Sequence, residues 1–453
     1  MLLARLLTPA QFGIFAMVAV VNRFLEVFRD MGFGTAVIQR ENVSEEELSG
    51  LFWLNALVSV VLSGSVALAA PLIAGFYDEP EVSAVSVGVA LAFFLAGLSV
   101  QHQALLRRQM RFAALTGVQL LAFFVGTCCA VLMAYTDWGV WALVGRALTN
   151  ATMLTVGFFA VTRWVPGRPV PLKRLGSLVR FGLNLTAFNL LNFLSRNADN
   201  LIVGKLFGPL ALGAYDRAYE LMNVAMRQIV APSSSVAVPA LSRLVAEPER
   251  YRTAYCRTVD KVLLITTPIA ALMLGAPHLV VRVALGDQWE SAIPLLAALG
   301  GLSLLQPMSR TSGWLFTTQD RTGEMVRWGI VSSVISLTSF LLGAIWGVAG
   351  VAWGYAAGQL LRTPVVFWYV GRTGPVTQRT LYETLFTSLS GGLPAAVVVY
   401  LTAGAIEDWP SLVAVGCCGL LSLLTAWTAL AVSPRGRKVL LDLPRVWHTL
   451  RKR

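Results

Sequence analysis

Apolar runs about a helix-span long, broken by short polar loops, recur along the whole chain. A bilayer's hydrocarbon core is about 30 Å thick and takes roughly 20 residues of helix to cross. By that rule the spans fall at 11–33, 48–76, 83–105, 112–135, 138–162, 175–204, 209–232, 257–285, 291–317, 325–346, 349–370, 381–403 and 410–432. That makes thirteen complete spans, with Met1–Leu7 left over. In the later part of the chain a full helix (175–204) precedes a Lys-Leu-Phe-Gly-Pro turn, whereas only this stub precedes the matching early turn. The stub therefore reads as the end of a truncated first helix. The expected fold is an all-α polytopic membrane protein with about 13 complete transmembrane helices plus that remnant.

Composition agrees with this pattern. The chain is 56% hydrophobic and 13% charged, with a mean hydropathy of +0.66. Soluble domains run near a quarter charged, so the soluble classes are excluded. A net charge of +12 suggests nucleic acid only if the bases share a patch, and here they are spread over alternate loops. Arg107, Arg108 and Arg111, then Arg163–Arg174, then Arg243–Arg257, Arg321 and Arg327, Arg372 and Arg379, and the tail from Arg435 mark one side. Asp78–Glu81, Asp137, Asp287–Glu290, Glu407 and Asp408 mark the other. This alternation places the basic loops and the C-terminus in the cytoplasm. Five cysteines and three isolated histidines show no ligand spacing, so neither disulfides, metal nor any cofactor is expected. The N-terminus lacks a basic leader followed by a cleavage site, and no phosphate loop or catalytic constellation occurs. Ser233–Ser235 after Pro232 read as a loop, and Trp138, Trp141, Trp164, Trp289 and Trp409 read as interfacial belts. Gly126, Gly157, Gly204, Gly343 and Gly347 read as helix-packing positions.

The chain also repeats itself. Arg5-Leu6-Leu7-Thr8-Pro9-Ala10-Gln11-Phe12-Gly13 matches Lys205-Leu206-Phe207-Gly208-Pro209-Leu210-Ala211-Leu212-Gly213 at a displacement of 200 residues, which also sets Arg23 over Asn223. Acidic loops at Asp78–Glu81 and Asp287–Glu290 each open the fourth helix of their half. Six helices separate the two turns, so both halves share one orientation, a parallel repeat about an axis normal to the membrane. The expected lobes are 1–165 (helices one to six) and 175–371 (helices seven to twelve). They surround a central cleft and are followed by two extra spans at 380–433 and a basic tail at 434–453. The proline-rich segment Arg163–Arg174 is a semi-rigid crossover.

Charges lie well inside these spans. Asn189, Asn192, Arg196 and Asp199 recur at steps of three and four, as do Asp216, Glu220, Asn223 and Arg227. An intramembrane charge costs at least a few kcal/mol and normally faces a protein interior or a wet cavity. Arg196 and Asp199 pairing with Glu220 and Asp216 is one reading of these stripes. It does not serve Arg23, Arg146 and Arg310, which have fewer evident acids, and guanidinium forks match phosphate oxygens. Arg29 and Lys261 are read as snorkelling toward the interface.

The segments LARLLTPAQFGIFAM, FRDMGFGTAVIQRENVSEEELSGLFWLN, APLIAGFYDEP, FGLNLTAFNLLNFLSRNADNLIVGKLFGPLALGAYDRAYELM and VPALSRLVAEPERYRTAY resemble the bacterial oligosaccharide flippase family. That family is the polysaccharide branch of the multidrug/oligosaccharidyl-lipid/polysaccharide exporter superfamily. The resemblance implies transport without catalysis: a polyprenyl-diphosphate-linked oligosaccharide passes from the cytoplasmic to the periplasmic leaflet of the inner membrane by alternating access. Such glycans feed lipopolysaccharide, O-antigen or exopolysaccharide synthesis, beside the polysaccharide assembly machinery. It implies that Arg23, Arg196, Arg217 and Arg310 meet the diphosphate. Arg146 and Asn192 join them as candidate contacts, and Glu26, Asp199, Asp216 and Glu220 serve as cleft partners or coupling acids. A cation-coupled drug antiporter of the same superfamily is the alternative, and would need a mostly acidic cleft. A glycan polymerase or glycosyltransferase would need a large periplasmic loop, and every such loop here is short.

Overall fold

In the computed structural model the described residues are 2–30, 37, 43–169 and 172–441, with only the backbone described for 172–196. Among them every element is helical. The first compact unit, Met1–Gly213, holds α1 (Leu2–Leu6), α2 (Pro9–Asp30), α3 (Glu45–Tyr77), α4 (Glu81–Leu98), α5 (Val100–Arg108), α6 (Phe112–Tyr135) and α7 (Trp141–Thr162). The long α8 (Leu172–Ala225) runs on into the second unit, Ala214–Arg453. There follow α9 (Ala231–Ser242), α10 (Pro248–Gly275), α11 (Pro277–Ala284), α12 (Ile293–Ser303), α13 (Gln306–Thr318), α14 (Thr322–Ala344) and α15 (Gly347–Gly371). The chain closes with α16 (Gln378–Ala403), α17 (Ser411–Val432) and α18 (Pro434–Leu441).

Nine helices among the described residues are long and apolar enough to cross a bilayer, and the bent pair α12–α13 makes ten. These ten coincide with predicted spans. Of the other three, 175–204 and 209–232 fall in α8, and the second runs on through a π-helical turn (Met226–Val230) into α9. The third, 349–370, lies in α15. Internal charged and amide side chains lower the hydropathy of all three.

Local chemistry explains where the helices start and stop. Thr8 and Gln11 cap α2 reciprocally: Thr8 N donates to Gln11 Oε1 at 2.9 Å and Gln11 N to Thr8 Oγ1 at 3.4 Å. Ser44 and Glu47 do the same for α3, at 2.9 and 3.1 Å. Each pair satisfies two amides that the first helical turn leaves without partners. Within α8 the helix breaks at Gly208 (φ 77°, ψ −175°), a conformation that a side chain disfavours. A Cβ on Gly204 would stand 3.1 Å from Leu212 Cδ2. Residues eight apart in a straight helix are about 12 Å apart, so the chain folds back at the predicted turn.

Several expectations are corrected. The fourth helix of the second half is two pieces, bent by 44° between Ser303 and Gln306, where Pro307 removes a helical donor. That of the first half runs as one span over Glu81–Arg108, with a local turn at Ser99, whose hydroxyl bonds back to Ala96 O at 2.8 Å. Ser233–Ser235 are helical, not a loop: Ser233 and Ser234 donate to Ile229 O and Val230 O at 2.7 and 2.8 Å, and Pro232 sits in the first turn, where no donor is needed. Trp289 is fully buried rather than interfacial. Trp164 packs against His102 and Phe52. A Cβ on Gly347 would meet nothing within 4 Å, and with φ +81° this glycine opens α15 rather than packing two helices. Arg29 lies over the Phe93 ring at 5.3 Å.

Candidate functional site

In the first unit the two copies of the repeated turn meet. A Cβ on Gly13 would fall 1.7 Å from Pro209 O, and one on Gly213 would fall 1.9 Å from Pro9 O. Each glycine thus admits the other copy's proline carbonyl, the reciprocal contact that two motifs related by a two-fold axis make. Beside the crossing, Lys205 Nζ bonds Asp78 Oδ2 at 2.7 Å, and Gly204 lies against Tyr77.

Fourteen residues beyond Pro9, about 21 Å along α2, Arg23 is half-buried and its Nη1 donates to Asn197 Oδ1 at 3.4 Å. Asn197, Asp199 and Asn200 are buried in succession on α8, and Asp199 Oδ1 accepts from Asn200 N at 2.9 Å. Glu26 is exposed and accepts from Asn22 Nδ2 at 3.2 Å. The structure therefore brings Arg23 to the polar stripe of α8. Arg146 lies over the Phe123 ring at 5.5 Å, and its carbonyl backs onto Gly126, so its described contacts are those of α7 packing on α6. The side chains of Asn192 and Arg196 lie outside the described residues.

In the second unit Asp216 Oδ2 takes Arg217 Nη2 at 2.5 Å, and Glu220 pairs with Arg227. Asn223 donates to Tyr219 O at 3.0 Å and accepts from Arg310 Nη2 at 3.1 Å. Arg310 is exposed although residues 302–308 before it are buried. It stands eight residues before the end of α13 at Thr318, about 12 Å of helix.

Arg362 of α15 stands in a polar cluster of its own. It donates to Ser336 Oγ at 2.6 Å and Gln359 Oε1 at 2.8 Å, and lies over the Tyr355 ring at 5.5 Å. Gln359 reaches Ser309, and Tyr355 packs 6.0 Å from Tyr219, itself stacked on Tyr215 at 6.2 Å. A polar network thus runs from α8 through α13 to α14 and α15. Its signal in the sequence is the three-and-four spacing of Gln359, Arg362 and Thr363, opposite Ser332 and Ser336. Among the described residues, no group of three or more His, Cys, Asp or Glu could hold a metal ion.

A repeated proline turn, helices long and apolar enough to cross a membrane and charged side chains within them define a multi-pass helical bundle. The solved structure of lipid II flippase MurJ in an inward closed conformation shares this fold at a TM-score of 0.72, covering 95% of this chain and 94% of that one at 12% identity. An inward-facing multidrug resistance MATE transporter follows at 0.60, covering 84% and 93% at 15% identity. Residues 2–294 match the sequence model of the polysaccharide biosynthesis protein family, and the chain belongs to that family. It is 25% identical over 404 residues to the lipopolysaccharide biosynthesis protein WzxC of Escherichia coli (strain K12), covering 88% of this chain and 82% of that one. It is 23% identical to the succinoglycan biosynthesis transport protein ExoT of Rhizobium meliloti (strain 1021), covering 76% and 70%.

Proposed function

We propose that this chain is a lipid-linked oligosaccharide flippase. It moves a polyprenyl-diphosphate-linked glycan from the cytoplasmic to the periplasmic leaflet of the bacterial inner membrane by alternating access, with its C-terminus in the cytoplasm, and catalyses no covalent step. The observation that carries the reading is Arg310, an exposed guanidinium eight residues before the end of α13 whose described partner is the neutral Asn223 amide. An amide oxygen orients the fork without cancelling its charge, so the site keeps a preference for an anion. A diphosphate suits it, because two phosphate oxygens accept from one guanidinium in parallel.

In this mechanism the polyprenyl tail stays in lipid while the diphosphate-sugar head enters a water-reachable cleft. Arg310, Arg23 and Arg196 offset the cost of bringing the anion into a low dielectric. Arg217, Arg146 and Asn192 are secondary contacts. Glu26, Asp199, Asp216 and Glu220 hold the empty cleft near neutrality, and binding of a proton or cation to one of them resets the cycle. The two lobes that move are 1–165 and 175–371, with 380–433 as an appended pair of spans. Family membership and the likeness to a succinoglycan biosynthesis transport protein support this reading.

The test is complementation of a host deleted for its flippase. Replacing Arg23 and Arg196 by Ala together, or Arg310 by Ala alone, is expected to abolish surface glycan at unchanged protein level. Glycan display that persists in both variants would show these arginines to be structural.

A further inference from the structure

At the basic end of the second unit, α10, α16 and α18 enclose a pocket of about 580 Å³. Arg252, Arg257 and Lys261 reach it from α10, Arg379 from α16, and Arg435 and Lys438 from α18. Asp260 and Glu383 also line it, and both are engaged by Arg435, at 3.4 and 3.8 Å. Glu383 also takes Arg379 at 2.9 Å. Arg435 further donates to Thr384 Oγ1 at 2.5 Å, so it is the bolt that ties α18 to its neighbours. Lys261 and Lys438 make no ion pair among the described residues. Six bases therefore face two acids in one concave space, and both acids are already committed.

The depth of the pocket is set by the helices around it. It opens where α10 and α16 pass from charged to apolar sequence, and α16 carries the exposed apolar side chains Phe386 and Leu393 beyond it. A concave, cationic, partly walled site at that level matches the phosphate of a lipid headgroup whose acyl chains run down the apolar face. Basic pockets between membrane helices bind such headgroups. The N-terminus of α16, capped by Thr377, adds its own partial positive charge.

We propose that this pocket binds a phosphate-bearing anion and that the ligand in the cell is an anionic phospholipid headgroup. None of the residues lining it is among the arginines assigned to transport, and the proposal stands whether or not the flippase reading does.

The test uses the full chain purified in detergent and titrated with phosphatidylglycerol, phosphatidylcholine or inorganic pyrophosphate, with bound species counted by native mass spectrometry. Phosphatidylglycerol is expected to be retained over phosphatidylcholine. A lysine near an anionic headgroup is worth about fivefold in affinity, so the double variant Lys261→Ala, Lys438→Ala should bind it roughly 25-fold more weakly. Weakened pyrophosphate binding in the same variant, with phosphatidylglycerol unaffected, would keep the anion chemistry and reassign the source to a soluble phosphate. Equal retention of phosphatidylcholine, or a double variant that binds both anions as the wild type does, overturns the proposal. If the double variant misfolds on size exclusion, Lys438→Gln alone should weaken binding about fivefold, and its failure to do so overturns the proposal equally.

Discussion

Positions 23 and 223 are equivalent in the repeat, and both end in an arginine–asparagine hydrogen bond, with donor and acceptor exchanged. In the first unit the repeated helix supplies the arginine, Arg23, and α8 supplies Asn197. In the second the repeated position supplies Asn223, and the arginine comes from elsewhere, Arg310 on α13. Both units thus contain a guanidinium–amide couple, with the charge on α2 in the first and on α13 in the second. Surroundings differ too: Arg23 is half-buried beside the buried Asn197, Asp199 and Asn200, whereas Arg310 is exposed. The first unit therefore holds its cation as part of packed structure, and the second leaves one exposed.

The largest effect is expected where the repeat packs on itself. Gly13→Ala or Gly213→Ala sets a methyl group against a backbone carbonyl that cannot rotate away, so the crossing must separate. Overpacking of this kind costs about 1–3 kcal/mol or more, and glycan display should fall to background in both variants. Gly313→Ala, with nothing within 4 Å, should be silent. A functional Gly13→Ala protein would show that the two turns do not need this contact to work.

Next come the two arginines. Arg310→Ala should reduce display at least tenfold with the melting temperature unchanged, because an exposed side chain holds little of the fold together. Arg310→Lys should not rescue it, since an ammonium cannot offer a parallel pair of donors. Arg23→Ala should lower both display and melting temperature, and a variant that lowers display alone would make the two units alike. Arg362→Met retains the aliphatic stem and removes the bonds to Ser336 and Gln359. Hydrogen bonds to a charged group contribute about 1.5–3 kcal/mol, so melting should drop by roughly 5 °C. Display should then follow the amount of folded protein.

Much of this was readable from hydropathy and spacing, because a span, a Gly-Pro turn and a repeated motif are local patterns. Hydropathy averaged over a span does not register where the backbone ladder is interrupted, so the bend near Pro307 was read as continuous helix. Ser233 looked like a loop residue because its partner, Ile229 O, exists only once the helix has formed. Polar periodicity located Asn223 and Arg310 without pairing them, since the partner is chosen by how α13 packs on α8. The six bases of the second pocket are scattered over nearly 190 residues of sequence and converge only in the fold.

The smallest effect belongs to the acidic loops, where the units agree most closely. Asp78 takes Lys205 at 2.7 Å, and Asp287 takes Arg282 at 3.2 Å. The acid is more than three-quarters exposed in each pair and the base about two-fifths. Exposed pairs of this sort contribute about 0–1 kcal/mol and are screened by salt. Lys205→Ala and Arg282→Ala should each therefore shift melting by only a degree or two at moderate ionic strength. The bases differ in position, however: Lys205 stands three residues before the Gly208 break and over the Phe76 ring at 5.5 Å, while Arg282 sits in the short α11. If Lys205→Ala alone lowered display at unchanged stability, and exchanging the charges as Lys205→Asp with Asp78→Lys restored it, the first pair would belong to the transport cycle. Equal, near-silent behaviour of the two variants would leave both as ordinary surface pairs and place the functional difference between the units in their arginines alone.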